Sequence, residues 1–131
     1  MALADAVKGL SHIGIRVHDL TRSRAFYEKL GFVFQWGPFG PEQVAALRHM
    51  SGLEINLIVN APEAEAPNVL MDVPHKHAGF THIALAIGSV AETEAALARA
   101  GIAISGRRGD NPVRALFVRD PDGNVIELAS D

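Results

Sequence analysis

Two histidines, a glutamate and an asparagine stand at matched places in this sequence, and their side chains suit it for metal chemistry. His12 lies in Leu10-Ser11-His12-Ile13-Gly14-Ile15, and His82 lies in the similar stretch Phe80-Thr81-His82-Ile83-Ala84-Leu85. At the same shift Asp19 meets Ser89, Leu20 meets Val90, Gly31 meets Gly101 and Phe32 meets Ile102, so the sequence carries an internal repeat. Asn56 follows Gly52 as Glu127 follows Gly123, which makes these two residues counterparts near the end of each copy. Two neutral imidazoles and one carboxylate form a donor set for Zn, Ni, Fe(II) or Mn, with coordination positions left for a substrate. A single histidine on a strand is more often structural than a ligand. The same slot filled twice, with Glu127 in reach, favours one divalent metal per site.

The elements that must place these residues follow from periodicity. Leu10 to His18 alternates, with Ile13, Ile15 and Val17 on one face and His12, Gly14, Arg16 and His18 on the other. A helix capped by Asp19 or Thr21 runs to Leu30 and stops at Gly31, and a strand restarts over Phe32 to Trp36. Residues 37–41 read as a loop, Gln43 to His49 as a strand, and Leu53 to Asn60 as a second alternating strand that puts Glu54 on the face of Asn56. Residues 61–79 are rich in Pro and Ala and read as a connector. The second copy follows: a strand over Thr81 to Ile87, a helix opened by the capping box Ser89-Val90-Ala91-Glu92, and a short strand over Ile102 to Ser105. After a loop over 106–111, a hairpin over Val113 to Arg119 and Asn124 to Ala129 turns at Asp120-Pro121-Asp122-Gly123. The expected fold class is α+β: two tandem βαβββ modules forming a cupped mixed sheet around the metal, with helices on the outer face.

Composition narrows the functional classes. With 131 residues and 48% hydrophobic content, each half alone buries little surface, so the halves are expected to share a core or a dimer interface as one domain over 1–131. The module bounds are about 10–60 and 80–129. A net charge of −3 gives no electrostatic basis for nucleic-acid or membrane partners. Absence of cysteine excludes disulfides and thiolate ligands. Residues 1–9 read as an unstructured or weakly docked lead-in with no secretory signal, and the expected location is cytoplasmic. His75 and His77 flank Lys76 in what reads as a solvated basic loop, as does Arg107-Arg108. Trp36, Phe39 and Phe117 read as core or cavity wall.

From Leu10 to Ala129 the sequence resembles the vicinal-oxygen-chelate superfamily, the glyoxalase, bleomycin-resistance and extradiol-dioxygenase group. The resemblance rests on His12 to Leu20 with Phe26-Tyr27-Glu28-Lys29-Leu30-Gly31-Phe32, on His82-Ile83-Ala84-Leu85, and on Asp120 to Leu128. It implies paired modules, a divalent metal on His12, His82 and Glu127, a small-molecule substrate and a homodimer. Similarity to glyoxalase I implies that Arg16 and Asn60 orient an anionic substrate. Glyoxalase I has a carboxylate important to proton transfer in the slot of Asn56, and an amide cannot take a proton, so the base is left unassigned. Glu127, Asn56 and Glu54 are the candidate catalytic residues, Glu54 serving as ligand or base only if the strand pairing is shifted. Ile58 and Phe117 would contact substrate. The expected function is a metal-dependent, glyoxalase I-like lyase or isomerase acting on an oxygen-chelating substrate, possibly a thiol conjugate. An Fe(II)-dependent extradiol dioxygenase needs only the two histidines and Glu127, with Ile58, Ala84, Ala86 and Val125 walling an aromatic ring. A metal-free ligand-binding protein of the bleomycin-resistance type is the non-enzymatic alternative.

Overall fold

A computed structural model describes every residue from Met1 to Asp131, in two compact units, Met1–Pro62 and Glu63–Asp131. The first contains α1 (Leu3–Ala6), β1 (Ile13–Val17), α2 (Leu20–Lys29), β2 (Phe32–Phe39), β3 (Val44–His49) and β4 (Glu54–Val59). Its four-stranded sheet has the order β1-β4-β3-β2, with β1 parallel to β4 and the remaining pairs antiparallel. Asp19 caps α2 by accepting the Arg22 amide at 2.8 Å, satisfying one of the donors that a helix start leaves open. Ser23, Phe26 and Tyr27, at helical spacing, form the buried stripe of α2. The Tyr27 ring is fully buried and meets Phe26 and Phe32 edge-on, with centroids 5.1 and 6.0 Å away. Val17, Leu47, Ile55 and Leu57 complete this core.

The second unit repeats the plan with β5 (His82–Ala86), α3 (Val90–Ala100), β6 (Ile104–Arg108), β7 (Ala115–Arg119) and β8 (Val125–Ala129), in the order β5-β8-β7-β6. β5 is parallel to β8, as β1 is to β4. Ser89 caps α3 by accepting the Glu92 amide at 3.2 Å, and Gly101 closes it in the left-handed conformation at φ 73°. Leu97 of α3 and Leu116, Val118, Ile126 and Leu128 of the sheet are buried. The α+β fold of tandem βαβββ modules read from the repeat is the fold observed.

Four local expectations change. The lead-in contains the short helix α1, none of whose residues is buried. β2 continues to Phe39 through the stretch read as a loop, because two register shifts absorb Gly37 and Pro38 into an irregular edge strand. A Cβ at Gly37, whose φ is +100°, would lie 2.4 Å from the Val44 carbonyl oxygen, so only glycine allows this approach. β6 starts at Ile104 and runs to Arg108, so Gly106, Arg107 and Arg108 belong to a strand. Finally, the connector is pinned to the 120–123 turn. Asn68 donates to the Gly123 carbonyl at 3.0 Å, and both terminal nitrogens of Arg119 meet Asp72 at 2.7 and 2.8 Å.

Candidate metal-binding site

Register decides which side chains share a face. In the first unit Gly14 pairs with Asn56 and Asn56 with Ala46, while Arg16 pairs with Ile58. Alternation then puts Gly14 and Arg16 of β1 on one face with Glu54, Asn56 and Ile58 of β4, opposite Ile13, Ile15 and Val17, while His12 and Asn60 lie just outside the two strands. In the second unit Ala84 pairs with Glu127 and Glu127 with Phe117, which puts His82, Glu127 and Phe117 on one face. The His82 and Phe117 rings lie 6.0 Å apart, edge to face. The strand row that carries Asn56 beside Gly14 is therefore the row that carries Glu127 beside Ala84, as the turn glycines implied. The pairing of β1 with β4 is not shifted, so Glu54 stays one side-chain step from Asn56 along its face.

The small neighbours Gly14 and Ala46 flank Asn56, whose side-chain oxygen is buried without a hydrogen-bond partner. A buried amide oxygen left unpaired is costly, and it can accept from a ligand group or donate its lone pair to a cation. Arg16 Nε donates to Asn60 Oδ1 at 2.9 Å, and Asn60 Nδ2 donates to Glu42 Oε2 at 2.6 Å. The two residues read as substrate anchors are thus joined, and Glu42, which nothing in the sequence marked, fixes Asn60 from behind.

Glu127 is 8% exposed, and a carboxylate so placed needs a partner. Arg108 supplies it: Nε donates to Glu127 Oε1 at 3.1 Å, while Nη2 reaches Asp131 at 2.9 Å. These hydrogen bonds, first to Asp131 and then to Glu127, hold the guanidinium well above its ordinary pKa, and Arg108 holds the Asp131 carboxyl below its own. Arg107 turns to the other side and pairs with Glu94 of α3. The pair read as a solvated loop is therefore a strand with one arginine for each face. Only the alternation of a strand through Gly106 would have revealed it, and the glycine concealed that strand.

Both histidines are exposed, and each has a hydroxyl on Nδ1: Ser11 Oγ at 3.0 Å from His12, and Thr81 Oγ1 at 2.8 Å from His82. Neither Nε2 has a hydrogen-bond partner within the chain. Within neither unit do three His, Asp or Glu side chains converge. The first unit carries His12 and the second His82 and Glu127. Within the second unit His82 and Glu127 share a face, an imidazole nitrogen and the Oε2 of a nearly buried carboxylate whose other oxygen is already bonded, donor types that suit a divalent cation. Trp36 and Phe39 stack at 6.0 Å on the β2 edge but are 43% and 65% exposed, so they are not core. A groove of about 460 Å³ between connector and turn, lined by Glu65, Asn68, Asp72 and Asp122 among others, contains none of the candidate ligands.

Residues 9–128 match the family model of the Glyoxalase/Bleomycin resistance protein/Dioxygenase superfamily. A glyoxalase domain-containing protein of Mycosarcoma maydis, RDO1, is 31% identical over 134 residues, covering 95% of this chain and 69% of that protein. Among solved structures, a glyoxalase family protein from Enterococcus faecalis superposes with a TM-score of 0.74 at 25% identity, covering 94% of this chain and 98% of its own. The fosfomycin resistance protein FosX from Listeria monocytogenes, solved in complex with Mn(II) and sulfate, superposes with a TM-score of 0.67 at 22% identity, covering 95% of this chain and 90% of its own.

Proposed function

We infer that this chain, which belongs to the glyoxalase/bleomycin resistance protein/dioxygenase superfamily, is a metal-dependent lyase or isomerase for a small substrate that chelates through adjacent oxygens. The observation that supports it is the repeated register, which gives Asn56 and Glu127 the same row, with His82 opening β5 and His12 directly preceding β1. His12, His82 and Glu127 are the ligand set. When bound, a divalent ion supplies Lewis acidity that makes an adjacent C–H or O–H easier to deprotonate. Mn(II) is a reasoned first ion, given the FosX complex, with Zn, Ni and Fe(II) beside it.

The chain's own groups divide the remaining work. Glu127 brings negative charge, held in place by Arg108. Asn56 accepts a hydrogen bond from a substrate hydroxyl through its unpartnered oxygen but takes no proton. Glu54 shares that face but stands one side-chain step from Asn56 in the unshifted pairing, so the row of Asn56 carries no carboxylate base of its own. Arg16 and Asn60, braced by Glu42, face the anionic end of the substrate, and Ile58 and Phe117 contact its apolar part. Residues 1–131 act in this reading as one domain, paired in a homodimer as members of this superfamily often are. No helix is long and apolar enough to cross a membrane, and the reading places the protein in the cytoplasm.

An amide at Asn56, in the row of Glu127, favours a second reading: an Fe(II) extradiol dioxygenase, which needs the ligands and no second carboxylate. Asn56→Glu separates the two. Under the lyase reading it raises turnover of a hemithioacetal by about 100-fold or more, the usual scale of a positioned base. No gain with metal still bound, together with oxygen uptake on catechols by the Fe(II) form, would favour the dioxygenase. Retention of bound ligand without any turnover would favour a metal-free binding protein.

A further inference from the structure

We propose that Ser11 and Thr81 are positioning residues that fix the tautomer and ring orientation of His12 and His82, leaving Nε2 of each as the donor. The inference rests on the metal-centre reading for its purpose but not for its geometry. In both modules a hydroxyl residue directly precedes the histidine, and in both it lies on Nδ1, at 3.0 and 2.8 Å. The repeat preserves this pair of contacts although the hydroxyl changes from serine to threonine.

A hydroxyl can donate or accept, so the chemistry of the ring decides the direction. A neutral imidazole has one N–H and one lone pair. If Nδ1–H donates to the hydroxyl, the lone pair lies on Nε2, which has no other partner within the chain. The reverse arrangement would place the proton on Nε2 and leave no donor atom for a cation. Outer contacts of this kind commonly orient metal-binding histidines, and their loss weakens metal affinity about 10–100-fold. Neither hydroxyl touches a ligand atom that would bind metal, so both act through the ring. His82 has a second constraint in the edge of Phe117, whereas His12 depends on Ser11. Ser11 is therefore the more sensitive of the two.

The test reads the tautomer directly in the full chain, without metal, and then metal affinity. Histidine-labelled protein is stripped with a chelator and its imidazole nitrogens are observed by NMR at about pH 8.5, where an ordinary imidazole is neutral. The wild-type rings of His12 and His82 should show the Nδ1–H tautomer. The double variant Ser11→Ala/Thr81→Val should shift both rings toward Nε2–H and raise the Mn(II) dissociation constant at least about tenfold. The exchanged pair Ser11→Thr/Thr81→Ser should restore both, and melting temperatures should show that every variant is folded. A wild-type Nε2–H tautomer, or a tautomer unmoved by loss of the hydroxyls, would overturn the inference. If the wild-type protein keeps the Nδ1–H tautomer but takes up no divalent ion, the hydroxyl contact stands and the metal-centre reading falls.

Discussion

At the scale of single residues, the partner of Glu127 is the feature to be explained. The side chain is 8% exposed, and Arg108 bonds it with a guanidinium that is itself shared with Asp131. Arg108 and a divalent ion held by Glu127 would compete for the same carboxylate charge, and two cations sharing one carboxylate repel each other. Arg108→Met should therefore lower the melting temperature of metal-free protein, because it leaves Glu127 unpaired. The same change should tighten Mn(II) binding several-fold and enlarge the stabilisation that Mn(II) confers. Thermal melts with and without Mn(II) check both effects, and an Mn(II) affinity equal to wild type would contradict the account of Arg108. His12, His82 and Glu127 were singled out as candidates by their types and spacing. Arg108 and Glu42 were not, because each meets its partner through a strand or loop placement that local patterns did not reveal.

At the scale of elements, amphipathic alternation located most strands and the caps at Asp19 and Ser89 located α2 and α3, whereas the short α1 went unread. It failed where glycine interrupts an edge strand, at Gly37 in β2 and Gly106 in β6, since an irregular edge and a loop share the same composition. The connector was read as irregular, but its attachment depends on partners far along the chain. Asp72 meets Arg119, and that hydrogen bond holds the Asp72 carboxyl below its ordinary value of 3.8. A lowered value means that the contact contributes above 3.8 and is lost as pH falls through the still lower value of the folded protein. The amide signals of Leu70 and Met71, bonded to Asn68 beside this contact, should move in an acid titration with a midpoint below 3.8. A midpoint at or above that value would show that Asp72 does not hold the connector. Asp72→Asn should remove the transition.

At the scale of the whole molecule, one repeated plan carries the candidate residues. Each module builds a four-stranded sheet with the same order, and the two first strands are each parallel to the last strand of their own unit. The sequence repeat revealed this because the pattern that forms a strand and the histidine that it carries occur together in both copies. The divergence between Asn56 and Glu127 was equally visible, and it is the feature that keeps a lyase and a dioxygenase in competition. The choice between them rests on substrate contacts, which depend on side chains such as Phe117 and Arg16 whose roles no local pattern specifies.

The measurement that tests the central claim most directly is the metal content of protein purified without chelator or affinity-tag metal, for the wild type and for His82→Ala. The account predicts about one divalent ion per site in the wild type and its loss in a His82→Ala protein that remains folded, as expected when one of three ligands is removed. Stoichiometric metal retained by His82→Ala, or a wild type that neither contains nor takes up Mn, Fe, Ni or Zn, would contradict it.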